Sequence, residues 1–171
     1  VCHGDIIDEV FGEDPDWLDV EELAKKVILT PRNDDSLKIN DEIVKRLPGE
    51  ARTYASADSI APGEDIPEEE RNNYPQEFLN SLTPSGMPPH LLTLKVGCIV
   101  MLLRNLNTNK GLCNGTRMAV TGLFNNFIQC KILTGKAKGE TVFIPRINLD
   151  PSDTGLPFKL RRRQFPVRVA Y

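Results

Sequence analysis

The sequence predicts an α/β fold with an inserted all-β barrel, and three observations carry that expectation. Val27 to Thr30, a turn at Pro31-Arg32-Asn33 and a periodic segment from Asp34 to Leu47 read as strand, loop and helix, the opening of an α/β unit. The run from Cys98 to Leu103, bounded by Gly97 and by Arg104-Asn105, has the length of a strand buried on both faces. From Arg117 the pattern changes to short strands at 118–124, 127–133 and 140–145. Their separators are Asn125-Asn126 and the Gly- and Lys-rich segment 134–139, the signature of a small β-barrel.

The chain before the first strand is acidic and helical in pattern. Asp16 is placed to cap a helix through Trp17, Leu18, Val20, Leu23 and Ala24 that ends at Lys25-Lys26. In the next helix Asn33 is the expected cap and Pro48-Gly49 the stop. Leu37, Ile39, Ile43, Val44 and Leu47 share its apolar face, with Asn40 among them. A buried amide needs partners, so Asn40 either ties the helix to the adjacent loop or orders Thr30–Asn33 for a ligand. Residues 52–56 read as a strand, 57–73 as a Pro-, Gly- and Glu-rich loop, and 74–82 as a short helix entered through Pro75. His90, after Met87-Pro88-Pro89, reads as a surface or capping residue. Residues 148–158 form a connector, followed by Arg161-Arg162-Arg163 and an apolar strand to Tyr171.

Composition narrows the function classes. With 171 residues, 40% hydrophobic and 26% charged, the chain has the make-up of one globular domain with room for a small insert. No run approaches the ~18 apolar residues of a membrane span, and Val-Cys-His-Gly-Asp at the start is not a signal peptide. The absence of an initiator Met, and an end inside an expected strand, suggest a fragment. Cys2, Cys98, Cys113 and Cys130 have no Cys-x-x-Cys spacing and His3 and His90 are far apart, which argues against a zinc site and for buried thiols in an intracellular protein. Residues 1–80 hold 21 Asp/Glu and 8 Lys/Arg, whereas residues 81–171 hold 3 Asp/Glu and 13 Lys/Arg. The basic half either faces a polyanion, nucleic acid first, or is covered by the acidic half.

Three motifs then stand in order: Ile-Leu-Thr-Pro-Arg-Asn followed by Ile39-Asn40; Leu-Lys-Val-Gly-(x3)-Met-Leu-Leu-Arg-Asn-Leu with Gly-Leu-Cys-Asn-Gly-Thr-Arg; and Arg-Arg-Gln-Phe-Pro-Val-Arg-Val-Ala-Tyr. Together they resemble the second motor domain of the petite-integration-frequency (PIF) family of DNA helicases, which includes Helitron-type helicases, over about residues 20–171. The resemblance implies a partial second RecA-like domain at 27–114, a barrel of the Src-homology-three kind at 115–160 and a return strand of the RecA-like domain at 161–171. Residues 1–26 would be the tail of a preceding region. It implies a part in ATP-driven 5′-to-3′ DNA unwinding, with roles in repair, recombination and telomere maintenance, in the nucleus or the mitochondrion.

Carried over by motif, the DNA-contact candidates are Thr30, Arg32 and Asn33 in the first loop, Arg104 and Asn105 at the end of the buried strand, and Asn114, Gly115, Thr116 and Arg117 at the junction with the barrel. Asn114-Gly115 reads equally well as a turn. Asn40, His90, Arg161, Arg162 and Arg163 are weaker candidates. Contacts of this kind position phosphate and do not read sequence. The chain has no Gly-x-x-x-x-Gly-Lys-Ser/Thr loop, and Thr134-Gly135-Lys136-Ala137 is a false echo of one. ATP and magnesium are therefore expected only in a full-length parent, together with its first RecA-like domain, and neither catalytic residues nor a metal site is expected here. Single-stranded DNA is the implied partner, and no membrane. The competing readings are a non-enzymatic nucleic-acid-binding module derived from a helicase, and an RNA-binding barrel. The latter requires stacking aromatics, for which Phe124, Phe127 and Phe143 are available.

Overall fold

The computed structural model describes residues 4–63, 66–151 and 154–171; Cys2 and His3 lie outside them. Two short helices, α1 (Ile6–Phe11) and α2 (Val20–Leu23), open the chain. The carboxylate of Asp5 accepts from the Ile7 N–H and that of Asp19 from the Glu22 N–H, so each helix has an N-cap. Asp16 does not cap a helix: its side chain accepts from the Leu18 N–H in a turn before α2. Ile7 and Phe11 are buried, and the Phe11 ring meets Tyr171 edge-on at 6.0 Å. Arg46 pairs with Asp5 and Asp8, which ties α1 to the end of α3 (Asn33–Arg46).

The strand expected at 27–30 is absent. Ile28 is buried and its N–H donates to the Tyr171 carbonyl at 3.3 Å, but Leu29 is 85% exposed and no further ladder forms. One hydrogen bond and one buried side chain do not make a strand. Asn33 is also not the cap. Arg32 holds that position, without a side-chain bond, and Asn33 is the first helical residue. The helix itself follows its pattern, with Ile43, Val44 and Leu47 buried. The chain leaves it at Pro48-Gly49, where Gly49 has a φ of 96°. The Lys95 ammonium, buried beneath that end, donates to the Leu47 carbonyl at 2.8 Å and the Lys45 carbonyl at 3.4 Å, placing a cation on the negative pole of the helix.

The remainder is mostly β. The strands are β1 (Arg52–Ala55), β2 (Ala57–Ile60), β3 (Leu91–Leu94), β4 (Ile99–Leu102), β5 (Arg117–Leu123), β6 (Phe127–Ile132), β7 (Thr141–Pro145), β8 (Ile147–Leu149), β9 (Leu160–Gln164) and β10 (Val167–Val169). They form a pair β1-β3, a five-stranded sheet β10-β4-β5-β6-β7 and a three-stranded sheet β2-β9-β8. Every pairing among these strands is antiparallel. The described residues are thus mostly β with few helices, and with no strand at 27–30 the helix α3 has no parallel pair to connect among them. The loop expected at 57–73 is corrected, because β2 and a helical turn α4 (Glu68–Arg71) lie within it. The helix entered through Pro75 is present as α5 (Gln76–Ser81).

The meander β5–β6–β7 follows the expected strands closely. It is extended by β4 and β10, so the sheet joins residues on both sides of position 115. Its buried side chains include Ile99, Leu102, Met118, Ile128, Ile132 and Ile144, and they share one core with α3. Cys98 and Cys130 lie in that core, and burial pushes both thiols up to about 12. A second, smaller core of Leu79, Phe158 and Leu160 sits under α5. Between the sheets, the chain changes partners at Ser56, between β1 and β2, and again at Phe165-Pro166, between β9 and β10. Gln164 bridges these crossings by donating to the Tyr54 and His90 carbonyls at 2.9 and 3.2 Å.

Candidate nucleic-acid interface

Segments of the three motifs meet at one cleft of about 200 Å³. Thr30, Asn33 and Asn40 come from the first, Arg117 from the second, and Arg168 and Tyr171 from the third. The local chemistry explains the convergence. Asn40, buried on the α3 face, accepts from the Tyr171 N–H at 2.9 Å and donates to the Ser36 hydroxyl at 3.3 Å. Its tie thus runs to the C-terminal strand and not to the Thr30–Asn33 loop. The Tyr171 hydroxyl accepts from the Ile99 N–H at 3.1 Å, and burial raises its pKa above the ordinary tyrosine range. Thr30 closes its own loop by donating to the Arg32 carbonyl at 2.9 Å; Arg32 and Asn33 are exposed, and Asn33 lines the cleft.

Arg117 is a staple. It donates to the Ala24 carbonyl at 2.8 Å and the Ala170 carbonyl at 3.0 Å, across 93 and 53 residues of sequence. Its Nε is buried without a partner, and burial holds its pKa below the usual arginine value. A guanidinium kept by two carbonyls holds the N-terminal segment to the residue that follows β10. Among the described residues, its Nε is the one buried side-chain polar atom without a hydrogen-bond partner.

Arg104, Asn105, Asn114 and Thr116 build the loop that follows β4. Arg104 donates to the Gly86 carbonyl at 3.0 Å and its own neighbour Leu103 at 2.8 Å, and its other nitrogen lies 3.8 Å from the Met87 sulfur. It clamps the irregular 85–90 segment. Asn105 accepts from the Asn114 N–H at 2.7 Å, and Thr116 donates to the Gly111 carbonyl at 3.0 Å. Gly115 turns the chain with a φ of 91°, and its N–H donates to Leu102 at 2.8 Å. Asn105, Asn114 and Gly115 are the exposed members of this group.

The three consecutive arginines are split by strand alternation on β9. Arg162 is wholly buried. It holds Asp58 with two bonds of 2.7 and 2.9 Å and also donates to the Pro88 and Leu79 carbonyls. It presents no surface to a phosphate, which removes it from the contact candidates. Arg161 points the other way and pairs with Asp150 at 2.6 Å; that partner's carboxyl is held below its ordinary pKa by the guanidinium. Arg163 is exposed and reaches Asn148 at 3.4 Å. His90 belongs to the same buried cluster: its Nδ1 is 2.8 Å from the Ser56 hydroxyl, which donates to Asp58 at 2.8 Å. It has the bonding role of a satisfied, half-buried histidine.

Arg168 is the residue that motif reasoning left out. It sits half-buried on β10 opposite Met101 and lines the cleft. A lone cation in the alternating run Val167-Arg168-Val169 was the available signal. Among the described residues, no three His, Cys, Asp or Glu side chains come together as a metal set, and no helix is long and apolar enough to cross a membrane.

Comparison with known proteins adds kinship. Residues 77–123, which carry the middle motif and straddle position 115, match the family described as DNA helicase Pif1, 2B domain. The human ATP-dependent DNA helicase PIF1 is 27% identical over 146 residues, which is 84% of this chain and 20% of that protein. Among solved structures, Pif1 helicase from Candida albicans aligns with a TM-score of 0.58 at 22% identity, covering 83% of this chain and 33% of its own. Bacteroides Pif1 bound to ssDNA aligns with a TM-score of 0.51 at 21% identity, covering 88% and 34%. The chain thus spans about a fifth of the human relative's length.

Proposed function

We propose that this chain, a relative of the PIF1-family DNA helicases by sequence and by fold, is the part of such a helicase that holds single-stranded DNA in its second motor domain. The observation that carries this is the cleft where three motifs far apart in sequence converge, lined by Asn33 and Arg168, with the exposed Arg32 next to Asn33 in the chain. Cations and an exposed amide in one place are what a phosphate chain needs for register without base reading. The relative bound to ssDNA supports the same partner. On this reading a partial RecA-like second domain and a Src-homology-three-type barrel share the chain. ATP and magnesium are bound with the first RecA-like domain of a parent protein, in the nucleus or the mitochondrion, and unwinding runs 5′ to 3′.

The test is binding of the chain to fluorescent oligo-dT across a salt series, with Arg32→Ala and Arg168→Ala beside it. Arg104 and Arg117 are unsuitable as probes, because they hold backbone carbonyls together. Each lost phosphate contact should lower the slope of log K against log salt by about 0.7. A folded chain that fails to bind at low salt would overturn the reading.

A further inference from the structure

The outer face of the β5–β6–β7 meander carries an aromatic cluster that the cleft does not use. Strand alternation buries Ile128, Cys130 and Ile132 of β6 and turns Phe127, Gln129 and Lys131 outward; on β7 it buries Val142 and Ile144 and exposes Phe143. Phe143 is 60% exposed, Phe124 43% and Phe127 36%. The Phe124 and Phe127 rings are stacked, 4.6 Å apart at 22°, and Phe143 stands edge-on to Phe127 at 5.6 Å. Single exposed apolar side chains are ordinary, but three in contact are an organised patch.

The backbone is fitted to this arrangement. A Cβ on Gly122 would lie 2.8 Å from Cε2 of Phe124, so glycine lets that ring fold back over its own strand. Gly122 follows the irregularity in register between β5 and β6. Cations rim the patch. The Arg52 guanidinium bonds the Leu123 carbonyl at 3.1 Å and the Asn125 side chain, on either side of Phe124. Arg146, directly after β7, instead donates to the Ala55 carbonyl at 2.8 Å with its guanidinium over the buried Tyr54 and Phe165 rings, whereas Lys131, 3.8 Å from Glu21, continues the face along β6. Gln129 sits opposite Phe143 on the same face.

We propose that Phe124, Phe127 and Phe143 form a platform on which unpaired nucleobases of a single strand stack, with Arg52 and Lys131 beside the strand's phosphates. This rests on the nucleic-acid reading above and adds a second contact surface of different chemistry. A duplex keeps its base faces occupied, so the platform selects single strands. Aromatic faces accept every base, so it is tolerant of sequence.

The experiment compares oligo-dT, oligo-U and an abasic strand of equal length and charge on the full chain, on Phe143→Ala and on Phe143→Leu, with circular dichroism to check folding. The wild type should bind oligo-dT about tenfold more tightly than the abasic strand. Both variants should lose most of that preference while keeping their abasic affinity and salt slope, since leucine keeps apolar area but has no π face. Phe143→Trp should show its indole emission quenched by oligo-dT and not by the abasic strand. A base preference with oligo-U alone would support the platform and assign RNA as its source. Equal binding of based and abasic strands by the wild type would overturn the platform and leave the cleft reading standing. Failure of every strand to bind would overturn both. Self-association of the wild type, lost in Phe143→Ala, with no base preference would overturn it in favour of a second copy of the chain.

Discussion

The five-stranded and three-stranded sheets are built on opposite principles. The first hides an almost wholly apolar interior, with Ile99, Met118, Ile128, Ile132 and Ile144 unexposed, and shows aromatic rings outside. The second hides a charge pair, Asp58 with Arg162, together with Gln164, Ser56 and half-buried His90. Apolar packing is non-directional and tolerates volume-conserving change. A buried ion pair is directional: it fixes register and strongly penalises the loss of either partner. The polar cluster sits where β1 passes into β2 and where α5 and the 88–90 segment close over β9, the places where hydrophobic contact alone would not choose among neighbours.

Four changes would break or sharpen that contrast. Arg162→Ala should destabilise by about 3–5 kcal/mol, read from the urea midpoint, because it strands the Asp58 carboxylate away from water. The double change Asp58→Leu with Arg162→Met should recover most of that loss; if it does not, the pair is needed for the sheet crossing itself. Arg117→Met, which removes two bonds from a guanidinium to carbonyls, should cost about 2 kcal/mol and loosen the N-terminal segment in hydrogen exchange. Ile144→Val in the apolar sheet should cost only about 1 kcal/mol, with an unchanged denaturant slope.

The smallest effect is electrostatic. Arg161 holds the Asp150 carboxyl below its ordinary value of 3.8. A carboxyl with a depressed folded pKa contributes stability that is fully present above the unfolded value and is lost as pH falls through the folded one. Asp150→Asn should therefore flatten the acid limb of stability below about pH 4 and lower stability at neutral pH by the same small amount, small because the pair is partly exposed. Thermal melts of both proteins across that range would show whether the two limbs differ.

Much of this molecule was legible from residue order. The strand at Cys98–Leu103, the meander after Arg117, the helix through Ile43 and the kinship itself are local patterns, set by the 2- and 3.6-residue periods and by turn residues. What failed was local pattern without a partner. Val27–Thr30 has the residues of a strand, but no neighbour among the described residues offers it a ladder, and Leu29 is left in solvent. Likewise, Arg161-Arg162-Arg163 is a uniform basic run in sequence, yet β9 sends one guanidinium to an exposed carboxylate, one into the core and one outward. Composition counts charges, and only tertiary structure decides which of them meet water. The sequence by itself determined where chain segments are regular and to which helicases they are related. The structure decided that Arg104 and Arg117 hold carbonyls, that Arg168 lines the cleft and that three phenylalanines stand outside. Those outcomes depend on contacts between residues tens of positions apart, which no local period encodes.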